Sequence, residues 1–140
     1  NRMRGRETFI FKDEIYLHFM HEYSAQFLFK LWKRVRKYGA YCTGITQNVD
    51  DLLQSHTART MLSNSEFIVM LNQAATDRTE LARLLNISDL QFSYITNVDA
   101  GHGLIKVGSN LVPFANKFPK NTKLYQLMTT KPGEGLQGAV

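Results

Sequence analysis

The sequence predicts an α/β fold: a mostly parallel sheet with helices on its faces, ending in a β-hairpin. Three observations lead there. Two short β-leaning runs, Phe9-Ile10-Phe11-Lys12 and Ala40-Tyr41-Cys42-Thr43-Gly44-Ile45, bracket the clearest helical pattern in the chain. Strand, long helix and strand in tight succession form a right-handed crossover, which joins parallel neighbours. Further on, two β-leaning runs flank Gly108-Ser109-Asn110, a hairpin turn signal.

The elements follow in order. Residues 8–12 are a strand, expected to be buried and ending in polar groups. Residues 15–22 extend it, or form a connecting loop or helical turn. Residues 23–38 are a helix: Leu28, Leu31, Val35 and Tyr38 recur at spacings of three and four, with Phe27 and Trp32 widening the stripe. Lys30, Lys33 and Lys37 project from the other side, and Gly39 stands where helices commonly stop. Residues 40–46 form a strand of continuous rather than alternating character, as strands covered on both faces do. Residues 47–56 are a loop or short helix, and 57–63 are helical.

Residues 66–71 form a third buried strand, and 77–86 a helix with Leu81, Leu84 and Leu85 on one face. Ser88-Asp89-Leu90-Gln91 fits a capping box that opens another helix. After the hairpin strands at 103–107 and 111–115, residues 122–128 are expected as a last strand. Residues 131–140 are Gly-rich and form a flexible tail.

The 140 residues have room for one domain. Apolar content of 44% and charged content of 21% are those of an ordinary globular protein. No apolar run approaches the roughly 20 residues of a membrane-spanning helix, and no signal-peptide pattern is visible. Cys42 is the one cysteine. It suits a reducing compartment and reads as a small buried hydrophobe rather than a catalytic thiol. The net charge of +5 is unevenly spread: Lys30, Lys33, Arg34, Arg36 and Lys37 cluster, and Arg2, Arg4 and Arg6 mark the start. Such clusters suit nucleic acid or an anionic membrane, or are a solvated helix face.

Chemistry concentrates at strand ends, where open parallel sheets bind ligands. Asp13 and Glu14 end the first strand; one carboxylate can position Mg²⁺ through water, and its neighbour can activate water. Gln47 ends the second, where an amide can sense a terminal phosphate. Together they suit nucleoside triphosphate hydrolysis. Arg34, Arg36 and Lys37 close the long helix, where the dipole favours cations. An arginine there can also reach a neighbouring subunit's phosphates. Gln73, Asp77 and Arg78 follow the third strand. Arg78 in a first helical turn opposes the dipole preference and asks for an anionic partner. His18 and His21 have a helix-compatible metal spacing but no third ligand nearby, so metal ligation is disfavoured. No G-x-S-x-G surrounds any serine, which argues against a serine hydrolase. No G-x-x-x-x-G-K-[ST] occurs among the 140 residues.

The order of these pieces resembles the large ATPase of conjugative type IV secretion systems, nearest to the versions on conjugative elements of Gram-positive bacteria. The matching segments are Arg36-Lys37-Tyr38-Gly39-Ala40, Thr46-Gln47-Asn48-Val49, Asn64-Ser65-Glu66-Phe67, and Leu71-Asn72-Gln73 through Asp77-Arg78. Gly101-His102-Gly103-Leu104-Ile105 and Thr129-Thr130-Lys131-Pro132 also fit. The resemblance implies a partial RecA-like P-loop NTPase domain of the FtsK and HerA superfamily. Residues 1–130 would be its C-terminal half, without the P-loop, and inactive alone. It assigns Asp13 and Glu14 to the Walker B acids, with Asp13 holding Mg²⁺ through water. It assigns Gln47 to the γ-phosphate sensor, Arg36 to a trans-acting arginine, and Gln73 and Arg78 to a motif near the nucleotide. ATP and Mg²⁺ are the implied cofactors. A hexamer, other secretion-apparatus subunits and DNA are the implied partners, at the cytoplasmic face of the membrane. Lys12 departs from the family's apolar run before the acids. Two other readings stand beside it: a translocase that pumps DNA directly, and a non-enzymatic module whose basic helix docks on membrane or a partner.

Overall fold

The computed structural model describes residues 7–47, 49–73 and 78–135, and of Arg78 only the backbone. Two sheets organise it. Strands β1 (Thr8–Lys12) and β2 (Ala40–Gly44) pair in parallel, in register from Thr8 with Ala40 to Lys12 with Gly44. Between them run a 3₁₀ turn (Ile15–Phe19), helix α1 (Glu22–Arg34) and a second 3₁₀ turn (Val35–Tyr38). Gly39 ends that turn at φ 64°, a left-handed conformation that glycine adopts without strain. The crossover expected from the sequence is therefore present.

Helices α2 (Val49–Gln54) and α3 (His56–Ser63) follow. The side chain of Ser55 caps α3 by accepting from the Ala58 amide. Strand β3 (Phe67–Met70) joins β4 (His102–Val107) and β5 (Asn110–Ala115) in an antiparallel sheet of order β3-β4-β5. Val107 pairs with Asn110, so Gly108 and Ser109 make a two-residue turn. Helices α4 (Arg78–Leu85) and α5 (Asp89–Phe92) lie between β3 and β4. The capping box of Ser88 and Gln91 is formed as its sequence predicts.

Two apolar cores result. Ile15, Leu28, Leu52, Ala58 and Met61 make one, with Trp32 packed against it. Leu53, Met70, Leu81, Leu85, Ile87, Phe92, Ile95 and Leu104 make the other. Leu52 and Leu53 are neighbours on α2 that enter different cores, so this short helix links the two halves.

Several expectations are corrected. Residues 122–128 are not a strand: α6 occupies Lys123–Met128, capped by Thr122, whose hydroxyl accepts from the Tyr125 amide at 3.2 Å. Leu124, Leu127 and Met128 lie three and four apart, a helical period rather than a strand one. The strands are not buried on both faces. Phe9 and Phe11 are 58% and 66% exposed, and Phe9 stacks on Tyr41 at 5.1 Å on the outer face. Alternate residues point the other way, with Ala40 buried and Ile10 and Cys42 half-buried. The third strand likewise shows Phe67 and Val69 to solvent. The expected helix over 23–38 ends as α-helix at Arg34, and Val35–Tyr38 is 3₁₀; the buried side is Ala25 and Leu28 on α1 and Val35 in that turn, while Phe27 and Tyr38 are exposed. Of the tail, Glu134 is held by Lys120 at 2.9 Å and by the Tyr125 hydroxyl, while 136–140 lie outside the described residues, as do Arg2, Arg4 and Arg6.

Candidate active site at the strand ends

The parallel register decides which polar groups meet. Lys12 lies opposite Gly44, so Asp13 and Glu14 leave β1 where β2 runs on towards Gln47. Two backbone bonds hold the strand ends together: the Ile45 amide donates to the Lys12 carbonyl at 2.8 Å, and the Ile15 amide donates to the Ile45 carbonyl at 2.9 Å. Asp13, Glu14 and Gln47 therefore share the carboxyl edge of the pair. Asp13 and Gln47 are exposed and Glu14 is half-buried. Among the described residues, no hydrogen bond joins the Gln47 side chain to either acid.

Glu14 has an unusual backbone, φ 47° and ψ 50°, in the left-handed region. Side-chained residues adopt this conformation at a cost of roughly 1–2 kcal/mol. The Glu14 amide donates to Oδ1 of Asp13 at 3.0 Å, and the Glu14 carbonyl accepts from Leu17 as the 3₁₀ turn begins. The kink turns the chain sharply away from β1 and leaves both carboxylates at the strand end. It also drops Ile15 into the core beneath Gly44. A Cβ on Gly44 would sit 2.5 Å from Ile15 Cδ1 and 3.5 Å from the Trp32 ring. Gly44 and Ile15 thus pack the two strand ends together, a contact that sequence reasoning passed over. The available signal was a glycine inside a strand, which marks close approach of another group.

The other predicted residues lie apart from this edge. Arg36 is exposed in the 3₁₀ turn after α1, and its carbonyl accepts from Gly39, whose own carbonyl accepts from Thr8. It stands at the amino end of the strand pair. Five strand residues at ~3.3 Å each separate it from the acids by on the order of 16 Å. Gln73 is half-buried after β3; its amide donates to the Ile95 carbonyl at 2.7 Å, and its Nε2 donates to Leu71 and Asn72 carbonyls at 3.1 and 3.4 Å. Arg78 begins α4. Asp77 lies outside the described residues. No hydrogen bond joins Gln73 to Asp13, Glu14 or Gln47 among the described residues. Cys42 is half-buried in β2, where burial pushes its thiol pKa up and away from the reactive thiolate. Among the described residues no three His, Cys, Asp or Glu side chains form a metal-holding group.

With this geometry in place, the sequence and the fold can be set beside known proteins. Residues 1–106 match the family model of the TraG P-loop domain. The chain belongs to the TraG P-loop domain family. This is the conjugative-transfer family that the order of motifs resembles. Its structure also resembles that of VirB4 of Thermoanaerobacter pseudethanolicus, at TM-score 0.75 and 25% sequence identity, over 86% of this chain and 34% of that one. The fold is accordingly part of a RecA-like α/β domain, and the chain spans about a third of the VirB4 chain it matches. No curated protein matches the sequence.

Proposed function

We propose that residues 1–130 are the C-terminal half of the motor domain of an ATPase that energises conjugative DNA or protein transfer through a type IV secretion system. The observation that carries this reading is the register of β1 and β2, which gathers Asp13, Glu14 and Gln47 on one carboxyl edge. The phosphate-binding loop then comes from protein beyond these 140 residues, and ATP binds between subunits of a hexamer. The motor works beside other secretion-apparatus subunits at the cytoplasmic face of the membrane. No helix among the described residues is long and apolar enough to cross that membrane itself.

The residues fit Mg·ATP. Magnesium sites on nucleotides use one or two carboxylates, with waters and phosphates completing the shell. Asp13 is exposed and spends one oxygen on the Glu14 amide, which leaves the other for a metal-bound water. Bound Mg²⁺ supplies charge neutralisation at the phosphates. Glu14 accepts the proton of the attacking water at its carboxylate. Gln47 donates its amide N–H to a terminal phosphate oxygen and registers its loss. Arg36, too far from these groups in its own chain, serves the neighbouring subunit and stabilises transition-state charge there. Gln73 and Arg78 border the nucleotide from the β3–α4 connection.

The test is Mg-dependent ATP hydrolysis by the longer protein that carries both this segment and its P-loop region, wild type against Glu14→Gln. Turnover lost with ATP binding retained is the expected result. Unchanged turnover in Glu14→Gln would remove the strand-end acids from the chemistry.

A further inference from the structure

The solvent face of α1 carries a pattern that the strand-end site leaves unused. Between Glu22 and Asp50 the chain has no carboxylate, yet Lys30, Lys33, Arg34, Arg36 and Lys37 all fall in that stretch. All five are exposed, and none forms a salt bridge with a described residue. Lys33 sits 4.2 Å from the centre of the Phe29 ring. The helix dipole accounts for cations near a C-terminus. It does not account for Tyr23 and Phe27, which are 87% and 62% exposed and stack on no other ring among the described residues.

Tyr23, Phe27, Lys30 and Arg34 succeed one another at spacings of four, three and four, so they form one stripe along the helix. At ~1.5 Å per residue the stripe is about 16 Å long. Open ring faces beside unpaired cations match the two parts of an unpaired nucleotide chain. Bases stack on aromatic rings, and phosphates take the cations. A duplex hides its base faces. A bilayer would draw first on the aliphatic Leu17 and Met20, which are exposed but lie ahead of α1.

We propose that this stripe binds single-stranded nucleic acid, with Tyr23 and Phe27 stacking on bases and Lys30 and Arg34 pairing with phosphates. The contact is sequence-tolerant, because every base has a π-face. It does not involve Arg36, and it stands whether or not the strand-end site hydrolyses ATP.

The experiment is fluorescence anisotropy of a labelled dT20 oligonucleotide with the protein, across a salt series and without nucleotide. Binding is expected to weaken with salt at a log-log slope of about −0.7 per phosphate contacted. Lys30→Gln and Arg34→Gln should each flatten that slope. Tyr23→Ala and Phe27→Ala should each weaken binding about 5- to 150-fold, the equivalent of a stacked base, at unchanged slope. Tyr23→Phe should keep wild-type affinity, which separates stacking from any loss of fold. Equal affinity for dT20 and a duplex of the same length would overturn the proposal, as would Tyr23→Ala and Phe27→Ala binding like wild type. Phosphatidylserine vesicles provide the remaining arm: vesicle binding lost in Leu17→Ser and Met20→Ser, with no dT20 binding, would assign the surface to membrane instead.

Discussion

The backbone amide of Glu14 donates to Oδ1 of Asp13 at 3.0 Å, across a turn that holds Glu14 at φ 47° and ψ 50°. Glycine occupies this region without the Cβ clash that a side chain meets. Glu14→Gly should therefore be more stable than Glu14→Ala by about 1 kcal/mol, because only the glycine variant releases the strain. Thermal or urea melts of the two variants read the difference directly. Equal stabilities would mean that the turn is relaxed. Strain retained at a carboxylate with a proposed chemical role is a pattern of functional sites, where stability and activity oppose each other.

Gly44 and Ile15 make a second linked pair. A Cβ at Gly44 would lie 2.5 Å from Ile15 Cδ1, and Ile15 is buried. Gly44→Ala should cost about 1–3 kcal/mol through overpacking. Ile15→Val removes that terminal methyl. The double variant should recover much of the loss, a coupling between neighbours that non-additive melts would expose. Simple additivity of the two single changes would show that the contact is slack. Because the same pair seats the strand ends, the single Gly44→Ala variant should also weaken the contribution of Gln47 to turnover in the longer protein.

Arg36 stands at the opposite end of the strand pair from Glu14 and is exposed. Removing its side chain should leave the melting curve of this chain within about 0.5 kcal/mol of wild type, as for other surface positions. In the assembled longer protein, Arg36→Ala should lower kcat by about 10³–10⁵ while nucleotide affinity stays near normal. Mixed assemblies of Arg36→Ala and Glu14→Gln subunits sharpen the test. An arginine acting across the interface leaves one competent site wherever an intact Glu14 meets an intact Arg36 from its neighbour, so partial turnover should return. Two dead variants that stay dead at every mixing ratio would show that the arginine does not act across the interface.

The sequence was most legible where local signals and tertiary packing agreed. Leu28 and Val35 marked the buried side of α1 and the 3₁₀ turn after it, Gly39 marked the end of that turn, and the Ser88–Gln91 capping box formed as its spacing requires. The strand-end groups could be found because a parallel pair must bring consecutive carboxyl ends together. Burial was harder. Phe9, Phe11 and Phe67 have the residue types of covered strands, but exposure depends on what lies over a face, and no local pattern carries that. Phe27 failed for the same reason: its hydrophobicity suggested the stripe, while its angle around the helix put it on the solvent side with Lys30. Helix α6 was a mistaken period rather than a missing signal, since Leu124, Leu127 and Met128 already carried helical spacing. Gly44 was passed over because the meaning of a strand glycine lies in what approaches it, and Ile15 arrives there only through the Glu14 kink.

The C-terminal segment supplies a pH-dependent contact whose sign can be worked out. The Tyr125 hydroxyl and the Lys120 ammonium both bond Glu134, and together they hold its carboxyl below the usual glutamate range. The Glu134 carboxylate in turn holds the Lys120 ammonium above the usual lysine range. A depressed carboxyl pKa gives stability that is present above the unfolded value and lost as pH falls through the folded one. A raised ammonium pKa gives stability that is present below the unfolded value and lost as pH rises through the folded one. The contact should therefore be intact at neutral pH and open at both the acid and alkaline ends. The Tyr125 ring resonances, followed by NMR across pH, should shift on the acid side at a midpoint below that of a free glutamate. Glu134→Gln should erase the acid step and leave both cores, with Phe92 and Leu28 buried, as they are. An acid step that survives in Glu134→Gln would belong to another carboxylate.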